Sequence, residues 1–208
     1  MNQIKRITRA EDFPGTDPRR VTAGNAYWMN DHPVYFDFFD RDKVVIYGLE
    51  DADDEALDAL IDEFRFYNYH VTFFFSPTGR LLRTFEPVAL TKVRIDSLQP
   101  SQFYVNQSKL EVCGHWLEIE DELLIPVAPY TNHICDGHTR LYAAVQKGIT
   151  HCYTYVCEDA GAYLDDFVRM AQERGIHSIS DLQPLPQEDY RKLWHQFCDD
   201  YFSAKQND

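Results

Sequence analysis

Asn132-His133-Ile134-Cys135-Asp136-Gly137-His138-Thr139-Arg140-Leu141-Tyr142-Ala143-Ala144-Val145-Gln146-Lys147-Gly148 reads as a strand that passes directly into a helix. Asn132 to Cys135 supply the strand and Asp136-Gly137 end it. From Thr139 the residues favour a helix until Gly148 stops it. Such a junction places the backbone N–H groups of Gly137, His138 and Thr139 at a helix amino terminus, where the helix dipole favours an anion. Gly137 lacks a Cβ and permits close approach. Thr139 can donate a hydroxyl, and Arg140 offers a planar fork of charge-assisted hydrogen bonds suited to phosphate oxygens. His138 can position a phosphate or a leaving group. Asp136 can hold a metal ion or take a proton from an attacking hydroxyl.

Upstream of this turn, Glu122 to Ala128 read as a strand, and Val93 to Leu98 as another, stopped by Gln99-Pro100-Ser101-Gln102. Ser108 to Val112 suit the start of a short helix. Downstream, Ile149 to Cys157 form a strand in which Tyr153 and Tyr155 share a face. A helix from Ala162 to Arg174 follows, ended by Gly175. A last helix runs from about Gln187 to Phe202, with Tyr190, Leu193, Trp194, Phe197 and Tyr201 as its apolar stripe.

The amino-terminal part reads separately. Residues 1–25 mix charge with Pro14, Gly15, Pro18 and Gly24 and predict an irregular segment. Ala26 to Met29, Val34 to Phe39 and Lys43 to Leu49 predict strands. Asp53 or Asp54 is placed to cap a helix whose Leu57, Leu60, Ile61 and Phe64 share one face. Tyr69 to Phe75 and Arg80 to Phe85 are further strands joined at Ser76-Pro77-Thr78-Gly79. The acidic residues from Asp51 to Asp58 lack the glycine and glutamate of a calcium loop and read as a solvated helix start.

The division expected is therefore an irregular segment over 1–25, a small α/β layer over 26–87, a domain over 88–158, and a helical extension over 159–208 packing on it. The class is α+β.

Composition narrows the functions. Hydrophobic residues make up 44% of the chain and aromatics 14%, enough for a buried core. Twenty Lys and Arg against 34 Asp and Glu leave a net charge of −14, which repels a nucleic-acid backbone. No apolar stretch approaches the roughly 20 residues that cross a bilayer, and the first residues form no signal core. The expectation is a cytoplasmic protein with no membrane partner. Five cysteines, an odd number without a CxxC pair, read as reduced and mostly core residues. Alternation sends His133 and Cys135 to one face while His138 lies beyond the turn, so these three are not read as metal ligands.

The block Asp136 to Ala144, preceded by Ile95-Asp96-Ser97-Leu98-Gln99-Pro100-Ser101-Gln102 and by Ile125-Pro126-Val127, resembles the ParB/sulfiredoxin-like superfamily over about residues 91–158. The tail Ile179 to Leu182, with Tyr190 and Trp194, resembles an extension of stand-alone ParB-like proteins. The resemblance implies a mixed-sheet domain with a helical carboxy-terminal extension, in which the Gly-x-x-Arg turn binds nucleotide phosphates. ATP, ADP or CTP with Mg²⁺ are the cofactors it implies. Gly137, His138, Thr139 and Arg140 would be the phosphate contacts, and Asp136 and His138 the catalytic residues, with Asp136 magnesium-linked.

The Asp-Gly-His-x-Arg form is nearest the free serine kinase branch. Sulfiredoxin carries its reactive cysteine where His138 stands, which argues against sulfinic acid repair. Residues 160–208 are too few and too acidic for the helix-turn-helix domain of chromosome-partitioning ParB. The kinase branch draws a catalytic glutamate from the earlier block, which offers none here; Glu111 is the substitute, weighed against a plain surface role.

Two functions follow from this reading. One is a phosphotransferase acting on a small hydroxylated metabolite. The other is a non-catalytic module in which a bound nucleotide switches a protein partner or a homodimer.

Overall fold

The computed structural model describes residues 3–7, 25–49, 53–118, 120, 123–158 and 160–205. The chain divides into two compact units, Met1–Ala89 and Leu90–Asp208. Both mix helix and sheet, so the fold is α+β.

In the first unit, β1 (Ile4–Arg6), β2 (Ala26–Met29), β3 (His32–Asp40) and β4 (Lys43–Tyr47) run antiparallel in chain order. A crossover helix, α1 (Asp54–Tyr67), then returns the chain to β5 (Phe73–Phe75), which lies parallel to β4, and β6 (Leu81–Thr84) closes the sheet. The strand β1 corrects the irregular segment expected at the amino terminus. Ile4 to Arg6 pair with Met29 to Tyr27 and so gain ladder hydrogen bonds that no local pattern announces. The remainder of that segment, 8–24, lies outside the described residues.

Helix α1 forms where its apolar positions recur at helical spacing. Leu57, Leu60, Ile61 and Phe64 are buried against Tyr27, Phe36, Ile46 and Phe74. Phe64 and Phe36 stack with centroids 3.8 Å apart. Asp53 caps the helix, its side chain accepting the Ala56 N–H at 2.8 Å. Replacing Asp53 by Ala is expected to cost about 1 kcal/mol, measured by chemical denaturation of the full chain, because that N–H loses its acceptor.

The second unit is built on the sheet β7 (Thr91–Arg94), β10 (His151–Val156) and β9 (Leu124–Val127), in the order β7-β10-β9. β10 is antiparallel to β7 and parallel to β9. A second ladder joins β8 (Tyr104–Asn106) to β11 (Gln183–Leu185) in parallel. Helices α2 (Gln107–Trp116), α3 (His138–Gln146) and α4 (Tyr163–Glu173) complete the unit with a last helical run. That run is α5 (Gln187–Tyr190), one wide π turn over Arg191–His195, and α6 (Gln196–Lys205).

One core holds the unit together: Ile125, Val127, Leu141, Phe167, Tyr190 and Trp194 belong to a single cluster. The residues of the carboxy-terminal extension are therefore part of this core. Trp194 lies 5.1 Å from Phe103 in edge-to-face contact. Leu193, read as part of the apolar stripe, is 50% exposed, since the π turn shifts the register of the face that meets the core.

In the first unit Tyr69 to Phe75 is a strand only from Phe73, and in the second unit two strands depart from the sequence reading. Val93 to Leu98 is a strand only to Arg94 and then a turn of 3₁₀ helix over Ile95–Ser97, where Arg94 also pairs with Asp96. Asn132 to Cys135 forms no ladder; His133 and Ile134 make single bridges to Gln99 and Val127.

Candidate functional site

The strand end and helix start converge at Gly137. Its φ is +95°, a left-handed conformation that turns the chain from the edge of β9 into α3. Among the described residues no side chain caps α3. The first N–H groups of this nine-residue helix, those of His138, Thr139 and Arg140, are thus left without a side-chain acceptor.

Arg140 folds back over this start. A Cβ built on Gly137 would stand 3.2 Å from Arg140 Nη2 and 3.5 Å from its Nε, so the guanidinium lies across the bare glycine. Among the described residues it meets one carboxylate, Asp136, at 3.8 Å, beyond hydrogen-bonding reach. The Arg140 side chain is 26% exposed and that of Asp136 64%. Five guanidinium donors thus lie beside a helix amino terminus with a single loose counter-ion. The charge of Arg140 is also felt at Tyr155, whose hydroxyl is driven up chiefly by burial.

His138 is placed differently from its neighbours. It is 2% exposed, and its Nε2 accepts the Ser101 N–H at 3.0 Å. Ser101 Oγ in turn donates to the Ile134 carbonyl at 2.8 Å. A ring that accepts at Nε2 carries its proton on Nδ1, and Nδ1 is buried with no hydrogen-bond partner among the described residues. Burial lowers the His138 pKa to about 4, against the pull of Asp136, so the ring is neutral at pH 7. The His138 side chain holds the turn by tying it to the segment at Ser101.

Thr139 is half-buried at the second position of α3. Asp136 stands exposed in front of the turn. Elsewhere, Glu111 is an exposed residue of α2 and Lys109 an exposed residue of its first turn. His133 Nδ1 lies 3.3 Å from an Asp165 carboxylate oxygen. The Trp116 side chain lies outside the described residues.

Cys135, just before Asp136, is half-buried, and the neighbouring Cys157 thiol, then burial, pushes its thiol up. Among the described residues no group of three or more His, Cys, Asp or Glu gathers to hold a metal ion, and no helix is long and apolar enough to cross a membrane.

Sequence reasoning missed Ser101 as the partner of His138. The two are 37 residues apart, and no local periodicity signals such a bond.

Fold and turn together define an α+β protein with a helix start overlaid by a partly exposed arginine. No protein-family model matches the chain, and no curated protein matches it. Among solved structures, the crystal structure of protein Atu1540 from Agrobacterium tumefaciens is similar at 22% identity over 48% of this chain, with a TM-score of 0.34. The match spans 64% of that protein, short of two thirds.

Proposed function

We propose that the Asp136 to Arg140 turn binds the phosphate groups of a nucleotide, in a chain of ParB/sulfiredoxin-like type nearest the free serine kinase branch. The observation that carries the reading is the state of Arg140. Its guanidinium lies over the uncapped start of α3 with one carboxylate 3.8 Å away and no closer ion pair among the described residues.

In this reading the N–H groups of Gly137, His138 and Thr139 and the Thr139 hydroxyl receive phosphate oxygens, and Arg140 forks onto the same group. The nucleotide is ATP, ADP or CTP. A single exposed carboxylate, Asp136, suits Mg²⁺, an ion that keeps several waters and is otherwise held by phosphate oxygens. If the protein is a kinase, Asp136 also accepts the proton that a small hydroxylated metabolite loses as its oxygen takes the phosphoryl group.

Calorimetric titration of the full chain with each nucleotide and Mg²⁺ tests the reading. Arg140→Ala is expected to weaken nucleotide binding about 10- to 100-fold, the worth of about 1.5–3 kcal/mol for a charged hydrogen-bonding group. Because the one counter-ion of Arg140 stands 3.8 Å away, its removal should leave the chain folded, which a thermal melt of the variant checks. No heat and no change in melting temperature with any of the three nucleotides would remove the proposal.

The burial of His138 favours a second reading, the non-catalytic switch. With the ring 2% exposed and neutral, Asp136 is left as the one acid–base group of the five-residue turn that faces solvent. A nucleotide recovered intact after long incubation with hydroxylated acceptors supports the switch; transfer of phosphate to an acceptor supports the kinase.

A further inference from the structure

Pro126 to Cys135 double back on themselves, and Tyr130 stands at the tip. The Cys135 N–H donates to the Pro126 carbonyl at 2.9 Å and the Ala128 N–H to the His133 carbonyl at 3.0 Å, with Val127 bridged to Ile134 between them. At the tip the Thr131 N–H reaches the Ala128 carbonyl at 3.4 Å and closes a turn with Pro129 and Tyr130 at its centre. Tyr130 has φ +60°, a left-handed conformation that such a turn normally gives to glycine or asparagine. Its side chain is fully exposed and makes no ring contact, hydrogen bond or ion pair among the described residues. A large residue thus occupies a strained position, and no such contact offsets the strain.

The tip lies at the end of the sheet where the nucleotide turn opens. β9 and β10 are parallel, with Pro126 beside Tyr155 and Val127 beside Val156, and Tyr130 lies beyond the carboxyl end of β9. Helix α3 carries the chain from Gly137, against Ile125, back to the amino end of β10, so it runs opposite to both strands. Its first N–H groups and Tyr130 therefore share the carboxyl end of the parallel pair, the end at which such sheets take ligands. Along the strand, Tyr130 stands about four residues, roughly 13 Å, beyond the level of Pro126 and Cys135. That is the scale on which a nucleotide separates its base from its outer phosphates.

We propose that Tyr130 is the stacking platform for the base of the nucleotide whose phosphates the Asp136 to Arg140 turn receives. The inference rests on that nucleotide reading and adds the group at the far end of the ligand, a flat purine or pyrimidine ring. An exposed phenol offers such a ring a π face, and stacking accepts any base because each has a face of its own. A base is uncharged, so the negative charge of the chain does not oppose it. The turn at Pro129 and the Thr131 bond fix the backbone of Tyr130 beforehand, which lowers the ordering cost of binding.

Calorimetric titrations of the full chain with ATP, CTP and inorganic tripolyphosphate, each with Mg²⁺, test the platform, since the last carries the anionic groups without a base. Tyr130→Gly is expected to weaken ATP and CTP about 10-fold, the order of one stacked base, and to leave tripolyphosphate unchanged. Its melting temperature should equal or exceed that of the unaltered chain, because glycine adopts the left-handed turn freely. Tyr130→Phe should keep the affinity, since a phenyl ring stacks as well. Arg140→Ala, by contrast, should weaken all three ligands. If Tyr130→Gly binds ATP and CTP as tightly as the unaltered chain, or loses tripolyphosphate in equal measure, the platform is overturned and the turn reading stands. A Tyr130→Phe variant as weak as Tyr130→Gly would also overturn it. An unaltered chain that binds none of the three removes the nucleotide reading and this inference with it.

Discussion

Acidification from pH 7 to pH 4 is expected to cost the second unit about 3 kcal/mol through His138 alone. The ring titrates near 6.5 in an unfolded chain and at about 4 when folded, because burial disfavours its charged form. The unfolded state therefore binds the proton first as pH falls. Stability from this source is whole above pH 6.5, is lost progressively between 6.5 and about 4, and is constant below that, and the interval corresponds to about 3 kcal/mol.

The neutral ring also accepts the Ser101 N–H, so protonation at Nε2 would leave that buried donor facing another donor. His138→Asn keeps an acceptor on the side chain and removes the titration. Its denaturation free energy should change less with pH over this interval than that of the unaltered chain. Parallel curves for the two proteins between pH 6.5 and 4 would show that the buried ring is not the source.

Gly137→Ala is expected to destabilise by about 2–4 kcal/mol and to displace the arginine as well. Two costs combine. A residue with a Cβ pays about 1–2 kcal/mol for a left-handed backbone, and φ here is +95°. The new Cβ would also stand 2.8 Å from Ile125 Cδ1, a fully buried side chain with little freedom to yield, and 3.2 Å from Arg140 Nη2.

Gly148→Ala separates these costs. Its φ is +78° but a Cβ there meets nothing within 4 Å, so only the backbone penalty of about 1–2 kcal/mol should be measured. Equal losses at the two positions would mean that the approach of Ile125 and Arg140 to Gly137 carries no energy.

Much of the helical structure was legible because it obeys local rules. The spacing of Leu57, Leu60, Ile61 and Phe64, the cap at Asp53 and the stop at Gly148 depend only on neighbours within a turn or two. The strand-to-helix turn at Asp136-Gly137 was legible for the same reason. Less visible was the pairing of β1 with β2 and of β8 with β11, since short strands take their hydrogen bonds from segments far off in the chain. The reading of Asn132 to Cys135 as a strand overreached. A ladder needs a partner in register, and only single bridges form.

The candidate site divides along the same line. Residue types and order by themselves determined that a helix begins at an aspartate-glycine turn carrying a threonine and an arginine, and that the chain carries a net charge of −14. Only the tertiary structure decided which side chains face outward there. It laid the arginine over the glycine and drew the histidine inward to a backbone N–H 37 residues away. The reason is physical. Helix starts and net charge follow from covalent neighbours, whereas burial and pKa depend on which distant atoms displace water from a group once the core has closed.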